Sequence, residues 1–92
     1  MNLHFTEQFL TDLEKLEPGK KTRVVEALLA LPAAFRSPHQ HSGLGVRKIH
    51  NAGVWECRAG LGLRVLFVIK ANTVFVETVG SHDDVQKYLR RL

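Results

Sequence analysis

Residues 55–69, WECRAGLGLRVLFVI, decide the fold. Val54–Arg58 alternates apolar and polar side chains. Ala59-Gly60-Leu61-Gly62 is a turn, and Leu63–Lys70 is a long, almost wholly apolar run. Alternation followed by a glycine turn and a β-branched run predicts two paired strands. A connection this short makes them antiparallel. Outward on one side, Val46–His50 reads as a strand joined through Asn51-Ala52-Gly53; on the other, Ala71-Asn72 turns the chain into Thr73–Val79. The expectation is a four-stranded antiparallel meander.

Upstream the period changes from two to 3.6. Thr6 is a candidate N-cap, with Phe9, Leu10, Leu13 and Leu16 on one helical face. Pro18-Gly19 breaks the chain, and a second helix is expected from about Lys20 to Leu31. It would bury Val24, Val25, Leu28 and Leu31, and end before Pro32 or soon after it. Two helices across so short a break predict an antiparallel helical hairpin. Asn2–Phe5 offers a short leading strand, Pro32–Gly45 reads as loop, and Ser81 or Asp83 can cap a last helix through Leu92. The fold class is α+β: a helical hairpin and a C-terminal helix packed on the meander.

At 92 residues the chain is expected to be one domain, residues 1–92. No run approaches the roughly 18 apolar residues of a membrane helix, so no membrane partner is expected. The opening MNLHFTEQFL lacks the basic-then-apolar pattern of a secretory leader. With one cysteine, Cys57, this points to the cytoplasm. Cys57 lies in an apolar strand pattern and reads as core, with a reactive thiol as the alternative. His39 and His41 stand alone in a loop and build no zinc site, so neither metal nor cofactor is expected. The net charge of +4 is unevenly spread: residues 1–46 balance five Lys/Arg against five Asp/Glu, whereas residues 47–92 carry eight against four. A basic half suits either a polyanionic partner or a solvated surface.

Alternation within each strand sorts its side chains. Trp55 and Cys57, with Val65, Phe67 and Ile69, form the natural core set beneath the helical hairpin. Lys48, His50, Glu56, Arg58 and Arg64 collect on the second face, while Arg47 and Ile49 oppose Lys48 in their own strand. One reading is a solvated face with cross-strand ion pairs. The other is a site, because a carboxylate, an imidazole and fixed cations can together transfer protons and stabilise phosphate charge.

The strand segment GVWECRAGLGLRVLFVI, the segment NTVFVETVGSHDDV and the ending YLRRL resemble the RelE/ParE superfamily of bacterial toxins, and FTEQFLTDLEKL with KKTRVVEALLAL resembles its two-helix N-terminal layer. The resemblance spans nearly the whole chain. It implies the toxin of a type II toxin–antitoxin module, neutralised by a cognate antitoxin. RelE-side members cut messenger RNA on the ribosome without metal; ParE-side members inhibit DNA gyrase; a non-catalytic relative acting as co-repressor is a third possibility. For the nuclease, the resemblance implies Arg64 as phosphate clamp, Glu56 as carboxylate base, and His82 in the GSH corner as acid or base. His50 would join proton transfer. Arg47, Lys48, Arg58 and Tyr88 would hold RNA, Tyr88 by stacking on a base. Asp83 and Asp84 depart from the histidine–tyrosine corner of some RNase members, and read as helix caps or as catalytic acids.

Overall fold

The computed structural model describes the backbone of residues 1–92 and all side chains except those of Pro38, His41 and Ser42. The chain runs β1 (Asn2–Phe5), α1 (Glu7–Glu14), α2 (Pro18–Arg36), a 3-10 stretch (Pro38–Leu44), β2 (Arg47–His50), β3 (Val54–Arg58), β4 (Arg64–Lys70), β5 (Thr73–Gly80) and α3 (His82–Arg90). The expected hairpins are present, but the sheet has five strands in the order β1-β5-β4-β3-β2. The leading strand is a full member that pairs parallel to β5, with Leu3 opposite Val74 and Phe5 opposite Val76. The sheet is therefore mixed rather than an antiparallel meander. One hydroxyl anchors that edge: Thr6 Oγ1 accepts from the Phe9 amide at 3.1 Å, capping α1, and donates to the Glu77 carbonyl of β5 at 3.0 Å.

Between β4 and β5 a two-residue turn has both residues at positive φ, Ala71 at 47° and Asn72 at 61°. That backbone has the hand of a hairpin's own twist, which asparagine adopts easily and alanine at a small cost. The second helix outlasts expectation, passing through Pro32 to Arg36. Proline removes one amide from the helical ladder, yet the extra turn places Ala34 in the interior and Phe35 against the core. Phe35, Trp55 and Phe67 form an aromatic cluster with ring centroids 6.0–6.5 Å apart. Packing outweighs the lost hydrogen bond.

The main core lies between α1–α2 and one sheet face. Phe9, Val24, Leu28 and Leu31 meet Cys57, Val65 and Phe67, as expected, together with Val74 and Val76, but Val25 points to solvent at 46% exposure. Burial and the neighbouring Glu56 charge push the Cys57 thiol up to about 12, so it stays protonated and serves as core. The opposite face is not simply wet. Val54 and Leu66 are buried beneath Val85 of α3, with Ile49, Val68, Tyr88 and Leu89 around them. Helices thus cover both faces, and the polar groups of β2–β4 lie at the margin of a second, smaller core. No described helix is long and apolar enough to cross a membrane.

Candidate functional site

The register between β2 and β3 decides which polar side chains meet. Arg47 is opposite Glu56 and Lys48 opposite Trp55, and a bulge then brings His50 opposite Val54. Directly opposed residues share a face. Arg47 therefore joins Glu56, and Lys48 goes with Trp55, the reverse of the arrangement expected from alternation alone. Period-two counting orders residues within a strand but carries no phase from one strand to the next.

Glu56 is the centre of the arrangement. Its side chain is 7% exposed, yet both oxygens are engaged: Arg47 Nε donates to Oε1 at 2.8 Å and Arg64 Nε lies 3.4 Å from Oε2. The pairing partners are thus Arg47 and Arg64, not Arg58. A carboxylate taken from water at this depth needs such partners. Arg64 is itself largely covered, at 24% exposure, and also donates from Nη1 to the Leu63 carbonyl at 3.2 Å. Arg47, by contrast, is 73% exposed and presents the open side of its guanidinium to solvent.

Above this pair runs a cleft of about 270 Å³ between β2–β3 and the first turns of α3; Arg47, Lys48, Glu56, His82 and Gln86 line it, with Val85 and Leu89. His82 enters because Ser81 starts the helix. The Ser81 hydroxyl accepts from the Asp84 amide at 3.2 Å, and the Ser81 amide donates to Asp84 Oδ2 at 2.9 Å, a reciprocal capping box. The bond from the Ser81 amide, and then one that the Ser81 hydroxyl donates to Oδ2 at 3.0 Å, hold the Asp84 carboxyl below its ordinary value. Asp84 is therefore a cap, as one of its two sequence readings held.

The other expected site residues lie elsewhere. His50 Nδ1 accepts from the Ala52 amide at 2.9 Å and closes the β2–β3 turn. Arg58, paired with Arg64 at the end of β3, does not line the cleft; its side chain lies along Gly45. Tyr88 packs on the second core and lines a different groove, of about 580 Å³, with Asp12, Lys15, Lys20, Lys87 and Arg91 among its walls. There burial, then the Glu77 charge, raises its phenol above the usual range. Sequence reasoning missed the four cations of this groove, because they come from three elements remote in sequence. Gln86 was missed too; one turn beyond His82, it could have been found by helical spacing. The His41 side chain, weighed as a metal ligand, lies outside the described residues.

No family model matches the chain, and no curated protein matches it by sequence. Solved structures do. A copper-bound mutant toxin from Helicobacter pylori superposes with a TM-score of 0.69 at 15% identity, covering 92% of this chain and 98% of that one. The RelB–RelE antitoxin–toxin complex from Methanococcus jannaschii gives 0.66 at 17%, over 92% and 96%. A YoeB/ParE toxin from Agrobacterium tumefaciens gives 0.64 at 19%, over 89% and 99%. Across nearly the whole length of each, the chain therefore shares the fold of these RelE- and YoeB/ParE-type toxin structures.

Proposed function

We propose that this chain is the toxin of a type II toxin–antitoxin module and cleaves messenger RNA on the ribosome. The observation that carries the reading is the cleft in which an exposed guanidinium, Arg47, is held by a buried carboxylate beside an unburied imidazole, His82. An antitoxin partner is supported by the similar structures, which include antitoxin–toxin complexes, among them an intact RelBE complex from E. coli. A cognate antitoxin is thus the proposed regulator, and ribosome-bound messenger the proposed substrate.

The chemistry needs a ribose 2′-oxygen to attack the adjacent phosphorus while the P–O5′ bond breaks. One proton leaves the 2′-hydroxyl and another must reach the departing 5′-oxygen. Imidazole is the side chain that exchanges protons near neutrality; His82, the one lining the cleft, takes the 2′-hydroxyl proton, and solvent water supplies the proton the 5′-oxygen gains. Glu56 has both oxygens occupied. It serves this mechanism better as the group that aims Arg47 than as a free base. Arg47 then offers its outward N–H groups to the non-bridging phosphate oxygens, where charge grows in the transition state. Arg64 fixes the other side of Glu56, so it supports the clamp from beneath.

Toeprinting on translating ribosomes tests this. Expression should produce cuts in the A site, and His82→Ala should slow them by about 100-fold or more. Arg47→Ala should do likewise. Both side chains are solvent-exposed, so these losses would not be unfolding. Intact messenger with arrested DNA supercoiling would replace the reading with gyrase inhibition. Unimpaired growth with antitoxin binding retained would leave a non-catalytic co-repressor.

A further inference from the structure

A second basic feature lies away from the cleft and shares no lining residue with it. Arg23 of α2 and Arg58 at the end of β3 line one shallow groove of about 450 Å³, beside the 3-10 stretch and the β3–β4 turn. Each arginine rests on a glycine in the left-handed backbone region. A Cβ at Gly60 (φ +83°) would stand 2.7 Å from Arg23 Cδ and 2.8 Å from its Nη1. One at Gly45 (φ +62°) would stand 3.1 Å from Arg58 Nε. Both glycines therefore leave the space these side chains fill, and both side chains lie along the backbone while remaining exposed.

Among the described residues, neither guanidinium has a carboxylate within 4 Å; the ion pairs at that distance all involve Glu56. Glu26 also lines the groove but lies beyond ion-pair distance of both arginines. Two unpaired forks lining one open groove match the oxyanions of a phosphodiester backbone, which arginine binds bidentately. The groove is open to solvent rather than enclosed, so an RNA backbone can lie along it.

We propose that Arg23 and Arg58 form a second phosphate-binding site, which docks the backbone of structured RNA outside the cleaved strand. The proposal rests on RNA being the target, but its test does not depend on cleavage. The probe is a 2′-O-methyl RNA hairpin, which has no 2′-hydroxyl proton to lose and stays uncut. Its affinity for the full chain is measured by fluorescence anisotropy over a range of salt. Arg23→Gln with Arg58→Gln keeps the aliphatic stems on their glycines, and should weaken binding by about tenfold and lower the log–log salt slope by about two. Arg23→Lys with Arg58→Lys should keep most of that slope, since the charges remain.

NMR of the arginine Nε–H groups supplies the independent readout: those of Arg23 and Arg58 should shift when the hairpin is added. Unchanged affinity and slope in the double glutamine variant would overturn the site, as would a wild-type chain that ignores the hairpin. If inorganic pyrophosphate moves the two arginine signals and the hairpin does not, the groove takes a small anion and RNA docking is wrong. Hairpin binding that depends on both arginines, beside uncut messenger on ribosomes, would sustain this site while removing the nuclease.

Discussion

At the scale of single residues, Glu56 sets the behaviour of its neighbours. It is a carboxylate at 7% side-chain exposure with one guanidinium on each oxygen, and those guanidiniums differ in cover: Arg64 at 24% and Arg47 at 73%. The difference predicts unequal costs. Arg64→Ala strands Oε2 in a covered position and should destabilise the fold by about 3 kcal/mol. Arg47→Ala opens Oε1 to water, which replaces the lost partner, so the loss should stay under about 1 kcal/mol. Urea denaturation of the two variants checks the order, and equal losses would contradict the burial argument. Arg47 is thus the arginine whose removal reports on function rather than folding.

At the scale of elements, α3 carries His82 into the cleft, and its start depends on Ser81 and Asp84. The reciprocal cap predicts that Ser81→Ala costs about 1 kcal/mol. Its pH dependence has a definite sign. The Asp84 carboxyl is held low chiefly by the Ser81 amide and then by the Ser81 hydroxyl, so its contribution is present above the ordinary carboxylate range. It is lost as pH falls through the folded-state value. The stability gap between wild type and Ser81→Ala should therefore narrow on acidification, because the hydroxyl's share of that contribution disappears with the charge. Thermal melts between neutral and strongly acidic pH measure it; a gap that widens in acid would refute the cap as described.

At the scale of the molecule, the main core and the exposed apolar residues should respond very differently to truncation. Phe67 is fully buried at the centre of the aromatic cluster, and Phe67→Ala should cost about 3–5 kcal/mol. That is a large share of the roughly 5–15 kcal/mol that holds a domain together, and calorimetry should show the melting temperature down by at least about 15 °C. Leu29 is 73% exposed on α2, and Leu29→Ser should change stability by less than about 0.5 kcal/mol. The contrast locates the core under α1 and α2 rather than spread over every apolar position of those helices.

Local pattern by itself determined much of this protein. Period-two alternation with glycine turns specified β3 and β4 to the residue at most ends, and the apolar set Cys57, Val65 and Phe67 was legible because side chains in one strand must alternate. Thr6 and Ser81 announced their helices because hydroxyls accept orphan amides wherever a helix begins. Three features needed the tertiary structure. Nothing in Asn2–Phe5 says that it lies parallel to a strand some seventy positions on, since long-range pairing leaves no local trace. Pro32 argued for an early end to α2, and only the packing of Ala34 and Phe35 overrides it. The site itself depended on register: a bulge between Lys48 and His50 puts Arg47 on Glu56, sets Lys48 opposite Trp55 at the rim of the cleft, and leaves His50 closing a turn. Which residues a strand carries is written in the sequence, but which of them meet across strands is decided by pairing, because one residue of slippage exchanges the two faces.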